Sequence, residues 1–234
     1  TYHIPVLYTK VVDHNGNILL SNTQKGKRVM KESTAFLLTD AMKDVITKGT
    51  GKSAKLSSSM AVAGKSGTTS NSYDYWFSGY TPYHTASVWM GYDKNTNFAS
   101  DNTHKKIWAK GMNEIIKTKQ EQTTDFKKPA DIVKAKVCKE SGKLAIKEVC
   151  DHDPRGSRVI TEYFEKGTVP TQTCDIHVAV EVCKTSDKLA TKNCPANKKQ
   201  RKIYIVRKKG SHGKTADTPY LLPKKYQSVF CKKH

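Results

Sequence analysis

Two Gly-Lys-Ser triplets, Gly51-Lys52-Ser53 and Gly64-Lys65-Ser66, are the first places in this sequence where the residue types suggest chemistry. A phosphate-binding loop ends in such a triplet, because its lysine and hydroxyl contact the phosphates and a magnesium ion. That loop also needs a glycine five positions before the Gly-Lys pair. Those positions hold Ile46 and Ser59. The sequence therefore excludes a nucleotide-binding loop at either triplet.

A second set of reactive residues lies near the end of the chain, where all six cysteines follow residue 137. This region contains an internal repeat, since residues 137–145 (VCKESGKLA) reappear as residues 182–190 (VCKTSDKLA). Each copy continues to a second cysteine and then to a Cys-x-x-His sequence. The two resulting sets are Cys138, Cys150, Cys174, His177 and Cys183, Cys194, Cys231, His234.

Two kinds of structural chemistry fit these sets. Disulfides would join Cys138 to Cys150 and Cys183 to Cys194, with Cys174 and Cys231 left over or paired with each other. Alternatively, each set of three cysteines and one histidine suits tetrahedral zinc. The repeated Cys-x-x-His endings favour zinc, whereas the long gaps before them weaken it. The sequence leaves both interpretations open.

The residues before the cysteines predict the elements that position these side chains. Apolar runs flank Asn15-Gly16, which predicts a β-hairpin. Apolar residues at helical spacing predict a helix over 32–48, with Ser33 or Thr34 as its cap and Gly49 at its end. Short connections predict antiparallel neighbours among the next strands. The further elements are strands at 60–69, 74–80 and 85–92, a helix at 103–119, a linker at 120–131, and two cysteine modules at 132–181 and 182–234.

Lys65-Ser66-Gly67-Thr68 stands at the end of an apolar strand, after a helix and a glycine-containing loop. The aromatic segments Trp76-Phe77-Ser78-Gly79-Tyr80 and Val88-Trp89-Met90-Gly91-Tyr92 follow it. In this context residues 1–119, and more loosely the tail, resemble class A penicillin-binding proteins, the bifunctional peptidoglycan synthases. The resemblance implies an incomplete α/β fold of the transpeptidase and β-lactamase type. We expect a mostly antiparallel sheet with packed helices, and small β-rich cysteine modules in the tail.

The resemblance also implies the reaction and the roles of the residues. A serine attacks a stem peptide that ends in D-Ala-D-Ala, and an amine then accepts the acyl group. Lys65 supplies positive charge for proton transfer, and the hydroxyls of Ser66 and Thr68 bind the terminal carboxylate. The N–H of Thr68 forms half of the oxyanion hole. Gly67 lets the substrate backbone approach, and Thr69 supports this geometry. β-Lactams would acylate the same serine, and no cofactor is implied for catalysis.

The sequence departs from the family pattern in one important respect. The Ser-x-x-Lys motif of the nucleophile and the Ser-x-Asn motif should both precede Lys65, and neither does. The match at residues 211–214 lies in the lysine-rich tail, where chance explains it, and Thr69-Ser70-Asn71 lies on the wrong side. We therefore expect an upstream half of the transpeptidase domain to supply the serine, and this chain to be inactive alone. The resemblance places the whole protein on the extracytoplasmic face of a bacterial membrane, anchored by an earlier N-terminal segment.

The formal net charge of +20 attracts polyanions, which here could be anionic wall polymers or lipid headgroups. Few aromatic residues are interleaved with the lysines, so we expect no nucleic-acid partner. A merely solvated, lysine-rich surface explains the charge equally well. Other functions stay open: a D-Ala-D-Ala carboxypeptidase, a serine β-lactamase, or a non-catalytic basic module that binds wall polymer. Trp76, Trp89 and Trp108 are expected in the core.

Overall fold

The computed structural model describes residues 2–22, 26–206 and 215–233, without the side chains of residues 215 and 216. The chain forms two compact units, Thr1–Asp131 and Ile132–His234. The strands of both units pair antiparallel. Residues 211–214, which carry the chance Ser-x-x-Lys match, lie outside the described residues. Among the described residues, no helix combines the length and apolar character needed to span a membrane.

The first unit begins with the predicted hairpin, formed by β1 (Lys10–Val12) and β2 (Ile18–Ser21). Asp13 holds its turn, because the Asp13 carboxylate accepts backbone hydrogen bonds from Asn15 at 2.9 Å and Asn17 at 2.8 Å. Gly16 adopts a φ of +84°, which a side chain would disfavour. Strand β1 is shorter than the apolar run 4–12 suggested, because only the last residues of that run pair with β2.

Helix α1 (Glu32–Thr47) follows and ends where the sequence predicted. The N–H of Gly49 donates to the carbonyl of Asp44, and a methyl group there would lie 2.9 Å from the Cα of Val45. The predicted cap at Ser33 or Thr34 is wrong. Lys31 stands at the N-terminal boundary without a side-chain cap, and Ser33 is buried within the first turn.

A three-stranded sheet and a second helix complete the first unit. The strands are β3 (Ala63–Thr68), β4 (Asp74–Tyr80) and β5 (Thr85–Gly91), in the spatial order β3-β4-β5. Helix α2 (Thr103–Lys119) packs against β4 and β5, while α1 packs against β3. The expectation of an antiparallel sheet with packed helices is thus confirmed. The buried core comprises Ile46, Ala54, Leu56, Met60, Val62, Phe77, Trp108, Ala109 and Met112.

The second unit contains two small sheets. Strand β6 (Ile132–Cys138) pairs with β7 (Val159–Glu165). Strand β8 (His177–Cys183) lies between β9 (Lys188–Leu189) and β10 (Lys199–Ile205), and the short helix α3 (Lys225–Ser228) follows. The module boundary expected at 181/182 falls inside β8. That strand begins the second repeat, although its first residue belongs to the first cysteine set.

The sequence repeat is also a structural repeat, because corresponding residues make the same backbone hydrogen bonds. The two copies share a turn after the first cysteine, a return to the preceding strand, and a bond that places the third cysteine. Equivalent donor and acceptor pairs are Gly142 to Cys138 and Asp187 to Cys183, Ala145 to Lys136 and Ala190 to Glu181, and Cys174 to Leu144 and Cys231 to Leu189.

Candidate active-site strand and cysteine clusters

The residues predicted to bind substrate lie on β3, at one edge of the sheet. Strand β3 pairs with β4 on one side, and among the described residues no strand pairs with its other side. Its first residues, Ala63 and Gly64, are buried against the core. From Lys65 onward the strand emerges, with only Ser66 half-buried. The structure therefore presents Lys65–Thr68 on an open strand edge.

The hydrogen-bond pattern of this strand decides which backbone groups face the open edge. Thr69 donates its N–H to the carbonyl of Asp74 at 3.1 Å, so this N–H points towards β4. Successive residues of an antiparallel strand alternate in this respect. The N–H groups of Thr68 and Ser66 therefore point away from β4, towards the open edge. An acceptor placed beside the strand could take both.

Two ammonium groups give this edge a positive character. Lys65 Nζ donates to the carbonyl oxygen of Ser66 at 2.8 Å, and Ser66 Oγ lies 3.3 Å from Thr50 Oγ1. On the other side of Thr50, the buried Lys105 donates to the Thr50 carbonyl at 2.8 Å and to Asn102 Oδ1 at 2.8 Å. Burial and, secondarily, the charge of Lys65 lower the pKa of Lys105. A carboxylate bound at this edge would relieve that repulsion.

The surroundings of Gly67 and Thr69 differ. A methyl group built on Gly67 would meet only Trp76 Cβ, at an ordinary 3.6 Å, so the fold does not require a glycine there. Thr69 belongs to the turn between β3 and β4. Its hydroxyl lies 3.2 Å from Asp74 Oδ2 and accepts the N–H of Asp74 at 2.9 Å.

The expectation that three tryptophans form the core is wrong for two of them. Trp108 is only 2% exposed, and its Nε1 donates to the carbonyl of Ala86 at 2.9 Å. Trp76 and Trp89 are each 45% exposed, with their rings 6.5 Å apart. Both project from the sheet face opposite Phe77, and it is the Phe77 face that packs against α2. Strand alternation, rather than residue type, decides their exposure.

In the second unit, the structure brings the first predicted set together as cluster 1, defined as Cys138, Cys150, Cys174 and His177. All four are buried, and their ligand atoms lie within 4.8 Å of one another. His177 Nδ1 lies 3.4 Å from the sulfur of Cys138 and 3.3 Å from that of Cys174. The other ring nitrogen, Nε2, lies 2.6 Å from Asp153 Oδ2.

The thiols of cluster 1 do not titrate alike. Burial raises the pKa of Cys150 to about 12. Burial also opposes ionisation of Cys174, but hydrogen bonds from Ser141, His177 and Ile176 outweigh it and lower the pKa of Cys174 to about 6.

The second set forms cluster 2, defined as Cys183, Cys194 and Cys231. These three sulfurs are buried and also lie within 4.8 Å of one another. The predicted fourth member, His234, lies outside the described residues. All six cysteines are free thiols in the structure. Each site brings three sulfurs within 4.8 Å of one another.

Sequence reasoning missed two residues that the structure places beside these sites. Asp153 is buried next to His177 and is clamped by Arg155, whose Nε and terminal nitrogen reach the carboxylate at 2.9 Å and 2.6 Å. Lys105 lies beside Thr50 in the first unit. Neither belongs to a motif with recognisable spacing. Only the charge pair Asp153-x-Arg155 could have drawn attention to the first.

Comparisons with known proteins match both units of the chain. The penicillin binding protein transpeptidase domain model matches residues 1–117, and the penicillin-binding protein 1A C-terminal domain model matches residues 128–179. Penicillin-binding protein 1A of Clostridium botulinum strain Langeland is 36% identical over 229 residues, covering 95% of this chain and 27% of that protein. The Clostridium novyi protein of the same name is 33% identical over 226 residues, covering 96% and 26%.

A solved structure supports the fold. Penicillin-binding protein 1A from Haemophilus influenzae matches with a TM-score of 0.53 at 23% identity, covering 74% of this chain and 30% of that one. The chain spans about a quarter of the length of the curated relatives it matches. The matched transpeptidase model covers the unit that carries β3, and the second model covers most of the first cysteine module. The chain belongs to the class A penicillin-binding proteins.

Proposed function

We propose that this chain supplies the substrate-binding strand of a peptidoglycan D,D-transpeptidase, and that an upstream segment supplies the serine nucleophile. The observation that carries the proposal is the open edge of β3. There Lys65, Ser66, Gly67 and Thr68 follow one another, and the Thr68 N–H points away from β4. Family membership supports the reaction class.

The open edge suits a stem peptide that ends in D-Ala-D-Ala. An extended peptide can align beside an unpaired strand and use its free N–H groups. The hydroxyls of Ser66 and Thr68 would then bind the terminal carboxylate, with Lys65 and Lys105 providing positive charge. The N–H of Thr68 would donate to the oxygen of the scissile carbonyl, where negative charge develops in the transition state.

The reaction then proceeds in two balanced steps. The serine oxygen bonds to the carbonyl carbon of the penultimate D-Ala, and the bond from that carbon to the last D-Ala nitrogen breaks. The serine proton passes to the departing amine through the site that Lys65 lines. In the second step an amine of a neighbouring stem peptide bonds to that carbon, the bond from the carbon to the serine oxygen breaks, and a proton of the amine returns to the serine oxygen. β-Lactams stop at the first step because their opened ring keeps the leaving nitrogen attached.

The same proposal includes the setting of the whole protein. We place it on the extracytoplasmic face of a bacterial membrane, anchored by a segment that precedes these residues. Its partners there are peptidoglycan stem peptides and β-lactams. Cell-wall synthesis and maintenance of cell shape would follow from this activity. The domain division at 119 and 131 is part of the proposal, with residues 120–131 as a linker.

A chimera tests the proposal. The segment of C. botulinum penicillin-binding protein 1A that precedes its match to this chain is joined in frame to residue 1, and the protein is incubated with fluorescent penicillin. We expect covalent labelling of the chimera and none of this chain alone. Lys65→Ala should reduce labelling at least tenfold, whereas Lys110→Ala, an exposed lysine on α2, should leave it unchanged. Labelling of this chain alone would mean that the nucleophile lies within it.

Analysis of the products separates the proposal from its relatives. With pentapeptide stems and an amine acceptor, a transpeptidase forms cross-linked dimers by mass spectrometry. A D-Ala-D-Ala carboxypeptidase yields only the shortened stem, and a β-lactamase releases opened β-lactam with turnover. Cross-linked dimers that disappear in the Lys65→Ala chimera are the expected result. If shortened stems were the sole product, the enzyme would be a carboxypeptidase that hydrolyses the acyl-enzyme, and the transpeptidase proposal would be wrong.

A further inference from the structure

The six buried cysteines of the second unit take no part in the proposed transpeptidase chemistry, and yet they occupy the centres of its two modules. The buried residues of one small core are Cys138, Cys150 and Cys174, and those of the other are Cys183, Cys194 and Cys231. Only a few partly buried apolar side chains pack around them. A module of about 50 residues gains limited stability from its apolar core, and small domains commonly add a cross-link or a bound ion.

We propose that cluster 1 binds a structural zinc ion through three thiolates and His177 Nδ1, and that Asp153 orients the histidine. The proposal is independent of the transpeptidase activity. A Zn–S distance of about 2.3 Å and a Zn–N distance of about 2.0–2.1 Å give a tetrahedron whose N···S edge is about 3.6 Å. The two N···S distances in cluster 1, 3.4 Å and 3.3 Å, already approach that edge.

The tautomer of His177 agrees with a metal ligand. Asp153 Oδ2 lies 2.6 Å from Nε2, so Nε2 carries the proton and donates it to the carboxylate. Nδ1 is then left with a lone pair directed at the sulfurs of Cys138 and Cys174. Two thiol protons cannot share one lone pair with good geometry, whereas one cation can bind both sulfurs and the nitrogen. A histidine that donates its second nitrogen to a carboxylate is the usual arrangement at zinc sites.

The charges around cluster 1 are suited to the bound ion. When zinc binds, the three thiol protons leave to solvent, so that the centre of Zn²⁺ and three thiolates carries a net charge of −1. Arg155 reaches Asp153 at 2.6 Å and Asp217 at 2.7 Å, and Arg158 lies 3.8 Å from Asp153. These guanidinium groups offset the negative charge that the thiolates and Asp153 bring into a buried site. The N–H of Ile146 also points at the Cys150 sulfur, at 3.3 Å.

A disulfide explains the same residues less well. It would use two of the three sulfurs and leave the third thiol and His177 buried without a shared partner. Three soft sulfur ligands with one imidazole select zinc over harder divalent cations. Cluster 2 repeats the three sulfurs, and the N–H of Thr191 points at the Cys194 sulfur at 3.3 Å, as that of Ile146 does in cluster 1. The sequence counterpart of His177 in the second copy is His234, which lies outside the described residues.

Metal content and thiol titration of the full 234-residue chain, purified without chelator and without reductant, test the proposal. We expect at least one zinc ion per chain by inductively coupled plasma mass spectrometry. Cys150→Ser should remove one ion. His177→Ala should lower the content or affinity of cluster 1, and His152→Ala, an exposed histidine nearby, should not. Replacement by Co²⁺ should give the visible bands of a tetrahedral thiolate site.

A second measurement separates a positioning role of Asp153 from a merely structural one. Competition with a chelator should show that Asp153→Asn weakens zinc binding about 10–100-fold while the stoichiometry is retained. Asp217→Asn also removes a partner of Arg155 but leaves His177 untouched, so it should bind zinc as the unchanged chain does. Equal weakening in both variants would overturn the role of Asp153. A folded chain with no bound zinc, or with its cysteines joined as disulfides, would overturn the zinc proposal.

Discussion

Replacing Gly67 by alanine separates what the fold requires of β3 from what a substrate requires. The added methyl would meet only Trp76 Cβ, at 3.6 Å, so no side chain or backbone has to move. Gly→Ala at a position of ordinary strand conformation tends to stabilise a protein by about 0.4–1 kcal/mol, because the unfolded chain loses freedom. We therefore expect Gly67→Ala to leave the free energy of unfolding unchanged or to raise it slightly.

The same methyl stands on the strand that we propose the substrate backbone approaches. Forcing an extra methyl into a close-packed contact costs about 1–3 kcal/mol. Since each 1.36 kcal/mol is tenfold in rate, acylation should slow by about 5-fold to 150-fold. The acylation rate is measured by fluorescent-penicillin labelling of the chimera. The free energy of unfolding is measured by urea unfolding of the 234-residue chain.

Gly79→Ala is the matched control, because Gly79 lies on the neighbouring strand of the same sheet. A methyl there would lie 2.7 Å from Phe77 Cε1 and 2.9 Å from Trp108 Cζ2. Such overpacking should cost about 1–3 kcal/mol of stability. The reasoning is refuted if Gly67→Ala destabilises the chain as Gly79→Ala does, or if it labels as fast as the unchanged chimera.

Three further predictions concern the first unit. Because all three tryptophans lie in this unit, tryptophan fluorescence can be used to follow its unfolding. Gly111→Ala should raise the free energy of unfolding by about 0.5–1 kcal/mol, since Gly111 lies in α2 and a methyl would touch nothing within 4 Å; a loss measured by urea unfolding would contradict this. Tyr80→Phe should lower it by about 0.5–1.5 kcal/mol, because the hydroxyl is 2.8 Å from Thr39 Oγ1, and Tyr83→Phe, whose hydroxyl lies in a more exposed contact, should lower it less. Burial, and then the charge of Lys105, lower the pKa of His104 below its usual 6.5. The unfolded chain therefore binds more protons than the folded chain, and the free energy of unfolding should fall as the pH drops from 7.5 to 5.5. His104→Gln should reduce this pH dependence, and an unchanged pH dependence would show that His104 is not its source.

The two cysteine sets illustrate how far an internal repeat can be used. Matching residues 137–145 with 182–190 paired Cys138 with Cys183, and the backbone hydrogen bonds of Cys174 and Cys231 follow the same correspondence. The sequence could not distinguish disulfides from a zinc site, because both require cysteines that lie close together in the fold. Sequence spacing does not show whether a third sulfur joins such a pair. The convergence of three sulfurs and one imidazole nitrogen is a tertiary feature.

Local pattern alone was enough for the order of elements in the first unit. The turn at Asn15-Gly16, the helical spacing up to Thr47 and the strand at Asp74–Tyr80 depend on neighbours within a few residues, which sequence reads directly. The motif at Lys65–Thr68 also indicated the family, and the comparisons confirmed it. The cap of α1 was misjudged, since Ser33 is buried by packing rather than used by the helix end.

Only the tertiary structure decided which side chains share an environment. Strand order left one edge of β3 without a partner strand among the described residues. The alternation of side chains along the strands left Trp76 and Trp89 exposed, although large aromatic residues are usually buried. Folding placed Lys105, 40 residues from Lys65, close enough for the two charges to interact. It also placed Asp153 beside His177. Sequence spacing fixes local geometry, whereas these encounters depend on strand order and register, which long-range burial selects.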